Sequence, residues 1–224
     1  MLPPLIVERA LALGLGLVAV TDHNTACNAG AVWRAAQGTG LAVWPGLEVQ
    51  TREEVHLLCL FEAWEVALDW QARVYAALPP RANRPEVFGA QWAVDHRGDY
   101  VRTIDRLLAT STALGVEEVV EGVGALGGLV IAAHVDRPSY SLLGSLGFVP
   151  EGLALAALEV TARGVGKPPP GTEGWPLVSS SDAHCLAEMR VGMFLEVAAP
   201  TLAEFRRALA GHAGRRLDLV APRV

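Results

Sequence analysis

Apolar positions recur at helical spacing over residues 3–14, with Pro3 and Pro4 at a tolerated helix N-terminus. They then run unbroken from Leu15 to Val20, the pattern of a short buried strand. A helix is predicted over 28–37, stopped by Gly38 and Gly40. Leu41–Val43 reads as strand, Pro45-Gly46 as a break, Leu47–Gln50 as strand again, and Val55–Phe61 as a further strand. Residues 62–77 are amphipathic and helical. Residues 79–113 are irregular, with Pro79, Pro80 and Pro85 and a turn at Asp95-His96-Arg97-Gly98-Asp99. They are expected to form a hairpin in an inserted cap. A helix over 116–126 precedes a buried strand at Gly128–Ala133. Strands follow at Ala157–Thr161, Pro176–Ser179 and Gly192–Val197, then a helix over Thr201–Ala210 with Thr201 as its N-cap. Alternating short strands and helices predict an α/β fold with a mainly parallel sheet or barrel.

Hydrophobic residues make up 51% of the 224-residue chain and charged residues 19%, which excludes a disordered polypeptide. No apolar run is long enough to span a membrane. The first 23 residues lack the basic n-region of a leader and read as the first helix and strand of the mature fold. Cys27, Cys59 and Cys185 form no metal or disulfide pattern, so a cytoplasmic setting is expected. The formal charge of −6 argues against a sequence-independent grip on nucleic acid.

Polar residues of the metal-ligating type fall just past the strands. Leu15–Val20 delivers Thr21-Asp22-His23, Trp44-Pro45-Gly46-Leu47 delivers Glu48, Gly128–Ala133 delivers His134, and Pro176–Ser181 delivers Asp182-Ala183-His184. In parallel α/β folds the C-terminal ends of strands converge on one face. His56 flanks Glu48 if their segments pair, and Asp182 and His184 point the same way if their segment is extended. Imidazole with carboxylate suits Zn, Mn or Fe. Any one of these histidines alone is more simply a hydrogen-bonded structural residue; four beside strands shift the balance towards metal. His96 and His212 keep structural roles. Gly122-Val123-Gly124-Ala125-Leu126-Gly127 fits a dinucleotide fingerprint but follows a helix, the wrong order. The six tryptophans show no nucleic-acid pattern, and packing is their expected role.

Four segments together resemble the PHP (polymerase and histidinol phosphatase) family of metal-dependent phosphoesterases. They are Thr21-Asp22-His23-Asn24-Thr25, Pro45-Gly46-Leu47-Glu48-Val49 with Glu54-Val55-His56-Leu57-Leu58, Ala133-His134-Val135-Asp136-Arg137-Pro138-Ser139, and Ser181-Asp182-Ala183-His184. The resemblance implies a distorted (β/α)7 barrel and up to three Mn, Fe or Zn ions. It implies His23, Glu48, His56, His134, Asp182 and His184 as ligands, with Glu48 bridging two metals and Asp22 as a carboxylate behind the ligands. The family opens with H-x-H, which occurs nowhere in these 224 residues. The expectation is therefore a barrel without its first strand, fewer than three metals, and a start codon assigned too late. Barrel residues are expected at 1–62 and 128–224, with 63–127 an inserted cap.

The expected activity is hydrolysis of a small phosphate monoester, nucleotide-like or histidinol-phosphate-like, by a metal-bridging hydroxide. Glu48 is expected to serve that chemistry and Arg137 to clamp the phosphate, unless Arg137 is only an ion pair for Asp136. The expected partner is a small phosphorylated substrate, with no membrane and no strong nucleic-acid signal. The alternative is a degenerate metal-binding module with a regulatory role.

Overall fold

The computed structural model describes residues 1–221. The chain runs α1 (Pro3–Ala12), β1 (Leu17–Val20), α2 (Ala29–Ala35), β2 (Ala42–Gln50), β3 (His56–Leu60), α3 (Trp64–Ala77), α4 (Pro85–Phe88), β4 (Trp92–Val94), β5 (Tyr100–Thr103) and α5 (Val116–Ala125). It continues with β6 (Leu129–Ala132), α6 (Leu142–Leu146), β7 (Ala157–Glu159), β8 (Leu177–Val178), β9 (Met193–Glu196), α7 (Leu202–Leu209) and β10 (Arg216–Leu219).

Six strands form a curled sheet in the order β1-β2-β3-β6-β7-β8. It is less parallel than the alternation of elements predicted. The pairs β1–β2, β6–β7 and β7–β8 are parallel, but β3 runs antiparallel to both β2 and β6. The cause is local: only residues 51–55 join β2 to β3, too few for the crossover a parallel pair requires. The sheet does not close, because β1 and β8 are both edges. A cavity of about 1210 Å³ runs between them, lined on one side by Leu17–Val20 and on the other by residues 178–184.

Pro45-Gly46 is not a break. β2 runs straight through it, with Pro45 beside Val20 and Gly46 beside Leu60. A Cβ at Gly46 would sit 2.4 Å from the Cys59 carbonyl oxygen, so only glycine lets β2 and β3 approach this closely. Along β2, side chains alternate between faces. Leu47 and Val49 join Leu57, Cys59, Val130 and Ala132 in the main core. Trp44 points the other way, against Leu60, Ile131 and Phe205 of α7. Glu48 shares the parity of Trp44 and lies on that second face.

α3 and α5 lie within the segment 63–127, expected as a cap. Both pack in the main core, through Trp70 and Val74 and through Val119 and Val123. The part standing off the sheet is 79–113, which holds α4 and the β4–β5 hairpin. Thr201 caps α7, its Oγ1 accepting from the Glu204 N–H at 3.2 Å. All three cysteines are free, and among the described residues no helix is long and apolar enough to cross a membrane.

Gly46→Ala should destabilise the protein by about 3 kcal/mol through overpacking. Gly124→Ala, in α5 with open space around it, should stabilise it by about 0.5 kcal/mol. Urea-denaturation midpoints check both. A Gly46→Ala midpoint equal to wild type would show that β2 and β3 do not approach as described.

Candidate metal centre

Glu48 organises the site. Past the end of β1 the parallel register continues, and His23 bridges to Glu48. The Glu48 N–H donates to the Asp22 carbonyl (3.1 Å), and the Asn24 N–H donates to the Glu48 carbonyl (2.8 Å). Across the antiparallel ladder Glu48 opposes Leu58, which makes His56 a diagonal neighbour on the same face. His134 follows β6, beside the start of β3, where the Ala133 N–H donates to the His56 carbonyl (3.1 Å).

Three imidazoles therefore meet one carboxylate. His23 Nδ1 lies 3.1 Å from Glu48 Oε2, His56 Nδ1 lies 3.1 Å from Oε1, and His134 Nε2 lies 3.4 Å from Oε1. The His23–His56 and His56–His134 ring centroids are 5.2 and 5.3 Å apart. Burial alone would raise the Glu48 carboxyl, but hydrogen bonds from His134 and His56 and the charges of His56 and His23 outweigh it. They hold the group far below the usual carboxylate range. Burial depresses His23, and the neighbouring imidazoles His56 and His184 add to that; Glu48 and Asp182 oppose it.

The last two expected ligands sit differently. Their segment is not extended: Asp182 has φ +47°, and His184 Nδ1 lies 3.0 Å from the Asp182 backbone carbonyl oxygen. The His184 ring stands beside His23, with centroids 6.0 Å apart. Asp182 Oδ2 lies 2.7 Å from Arg137 Nη2, though too poorly aligned for a hydrogen bond. Arg137 thus faces Asp182 rather than Asp136, whose carboxylate instead accepts from the Thr161 N–H and hydroxyl. Asp22 lines the cavity next to His23, and burial pushes its carboxyl up from the usual carboxylate range. His23, Glu48 and His56 form a group able to hold one ion, their ligand atoms all within 4.8 Å of one another.

Three residues join the site that sequence reasoning missed. Glu159, at the end of β7, is buried and accepts from the His134 N–H at 3.1 Å and from the Ser180 hydroxyl. An acid closing the apolar run Ala157-Leu158 was the available signal, the same one that marked Glu48. Arg190 donates to Ser179 Oγ at 3.0 Å and to the Ser180 carbonyl, bracing the loop before Asp182. Nothing in its sequence context pointed there. Tyr140 stacks on His56, with centroids 5.1 Å apart and planes at 25°.

Backbone strain gathers here as well. Asn24, His134, Tyr140 and Asp182 all have positive φ, at +51°, +33°, +55° and +47°. Such residues persist only where the surroundings over-determine them. Asn24 shows how. Its Nδ2 donates to the carbonyls of Leu108 (2.7 Å) and Thr110 (2.9 Å), and its Oδ1 accepts from the Gln50 N–H (3.1 Å). One buried side chain thus locks the 79–113 segment to β2 and to the loop carrying His23.

No family model matches the chain, and no curated protein matches it in sequence. Solved structures do. Endonuclease Q of Pyrococcus furiosus superposes with a TM-score of 0.66 at 21% identity, over 96% of this chain and 52% of that protein. An endonuclease Q complex with a 27-mer duplex bearing an abasic lesion matches at 0.64 and 19%, over 95% of this chain and 52% of the other. A protein from Bifidobacterium adolescentis assigned as a metal-dependent phosphoesterase matches at 0.53 and 20%, over 82% of each chain. The chain therefore has a PHP-type fold, and it spans about half the length of the endonuclease Q chains. These likenesses overturn the expectation of a small phosphorylated substrate without nucleic acid. Net charge misled because it averages the whole chain, whereas phosphate contacts are local.

Asn24→Ala should cost about 2 kcal/mol, since it removes hydrogen bonds to the Gln50 N–H and to the Leu108 and Thr110 carbonyls. A urea-denaturation loss below about 0.5 kcal/mol would show that Asn24 is not the lock.

Proposed function

We propose that the chain is a metal-dependent phosphoesterase acting on phosphodiesters of nucleic acid. The observation that carries this reading is one buried carboxylate ringed by three imidazoles, with His56 Nε2 and His134 Nδ1 buried and unpartnered. A buried nitrogen left without a partner costs about 1–3 kcal/mol, and a cation held by these side chains removes that cost. The nitrogen and oxygen donor set suits Mn, Fe or Zn. The residues that would hold it are His23, Glu48, His56 and His134, with Asp182 and His184 on the open side.

A divalent cation bound there supplies Lewis acidity, acidifying water and offsetting phosphoryl charge. The chain's own groups do the rest. Glu48, held far below the usual carboxylate range by the imidazoles, orients them around it. Glu159 holds the His134 backbone and Ser180, and Arg190 holds the Ser179–Ser180 loop. Arg137, half-exposed, keeps donors free beyond those facing Asp182 and offers them to a phosphate oxygen. The likeness to endonuclease Q, solved on duplex DNA, supports nucleic acid as the substrate. The segment 79–113 walls the mouth of the cavity through Phe88, Trp92 and Leu108 and serves as its cap.

A second reading is a metal-binding module without turnover. The pairing of Asp182 with Arg137 favours it, because it withdraws one expected ligand.

Metal content by mass spectrometry should fall at least tenfold in Glu48→Gln and His134→Ala, with far-ultraviolet circular dichroism unchanged. Unaltered stoichiometry in both would remove the proposed centre. Manganese-dependent hydrolysis of bis(4-nitrophenyl) phosphate, abolished by a chelator and restored by added metal, separates the enzyme from the binding module. Metal binding without any hydrolysis would leave only the module.

A further inference from the structure

The β4–β5 hairpin carries an aromatic surface that its own fold does not use. Trp92 is 56% exposed, Tyr100 61% and Phe88 46%. Trp92 and Tyr100 stand edge to face, with centroids 6.2 Å apart and planes at 88°, making a right-angled corner. The underside of the hairpin is spent on packing: Ala93 is buried, and Arg102 donates to Cys27 Sγ at 3.3 Å. The hairpin is fixed rather than loose. Asn28 Nδ2 donates to the Trp92 carbonyl at 3.1 Å, and Asn28 Oδ1 accepts from the Val94 N–H at 2.9 Å. Asn28 lies only five residues after His23. Phe88 and Trp92 line the same cavity as His23 and Glu48. Trp92, one wall of the corner, thus shares a cavity with the imidazole cluster.

The charge around the corner is also unspent. Residues 79–113 hold five arginines, Arg81, Arg84, Arg97, Arg102 and Arg106, against four carboxylates, in a chain whose formal charge is −6. Among the described residues none of the five is ion-paired: the salt bridges formed by arginine involve Arg52, Arg137, Arg207, Arg215 and Arg216. Arg84 lies over the Phe88 ring, with Cζ 5.8 Å from the centroid, a guanidinium parked on an aromatic face. Exposed rings and, on the same segment, guanidiniums outside any salt bridge are the two components that bind an unstacked nucleic-acid strand. The rings take bases and the guanidiniums take the backbone.

We propose that Trp92 and Tyr100 form a stacking site for an unpaired nucleobase next to the bond to be cut. This deepens the phosphodiesterase reading and rests on it for the site's purpose. A base placed against one ring meets the edge of the other, which limits its orientation without reading its identity. Arg84 and Arg97 supply positive charge along the flanking phosphates. Duplex DNA would have to release a base to reach the corner, so strands with an unpaired or extrahelical nucleotide are the favoured class.

The test uses the full chain with a fluorescein-labelled single-stranded oligonucleotide, and the same backbone built entirely of base-free tetrahydrofuran residues. Fluorescence anisotropy at fixed salt reads both. Trp92→Ala and Tyr100→Ala should each weaken binding of the base-bearing strand about tenfold, within the range of single-base stacking. Each should leave the base-free strand within about twofold of wild type, and Trp92→Phe should restore most of the loss. Equal wild-type affinity for the two strands, or indifference of the base-bearing strand to Trp92→Ala, overturns the proposal. So does a Trp92→Ala change in gel-filtration volume with oligonucleotide affinity intact, which would assign the corner to a second copy of the chain. Absence of hydrolysis in wild type with Trp92-dependent base binding would sink the phosphodiesterase reading and leave the stacking site standing.

Discussion

A carboxylate taken out of water must be met by positive charge or by donors, and Glu48 is met from three directions by strands that have no other reason to converge. Its partners come from the end of β1, the start of β3 and the end of β6. Each depends on a different pairing: parallel for His23, antiparallel and diagonal for His56, and the β3–β6 ladder for His134. A slip of one residue in any ladder would turn that side chain to the opposite face. Glu48 therefore acts as a check on register. The sheet can bury this carboxylate only when all three pairings are correct.

That constraint explains features that look unrelated. Gly46 lets β2 and β3 close up two residues before Glu48, where any side chain would strike the Cys59 carbonyl. The main core on the other face of β2, from Leu47 and Val49 to Trp70 and Val123, holds the strand flat against its neighbours. Strained residues then turn the chain at the rim, and Asn24 ties the rim to the 79–113 segment with two hydrogen bonds and to β2 with a third. The stable side of the sheet supports the strained side, which is the division expected where precise placement of polar groups matters.

Much of this was legible in the chain. Most strands lie close to their expected positions because their apolar runs are short and bounded, and the polar residues that close those runs are the ones that gather. What periodicity could not convey was strand direction. The five residues between β2 and β3 contained that information, but Pro45-Gly46 drew attention as the turn while it lies inside a strand. Glu159 escaped because it ends a run of only three residues. Asp182 and His184 reach the His23 side of the site without the extended backbone assumed for them, because Asp182 is left-handed. Trp92 escaped for another reason. In a three-residue strand, alternation is too brief to tell an inward ring from an outward one, so packing was the natural assumption.

The substrate reading turned on the same difference between average and local properties. A formal charge of −6 describes a molecule's long-range field, and a polyanion approaching from a distance feels it. At contact the field is set by what lies within a Debye length, about 8 Å at physiological salt. There the strand would meet unpaired arginines on the hairpin, Arg137 at the rim, and a cluster built to hold cations. Guanidiniums and aromatic rings on the 79–113 segment act at that range, whatever the molecule's average charge. Negative net charge is then compatible with the proposed nucleic-acid substrate.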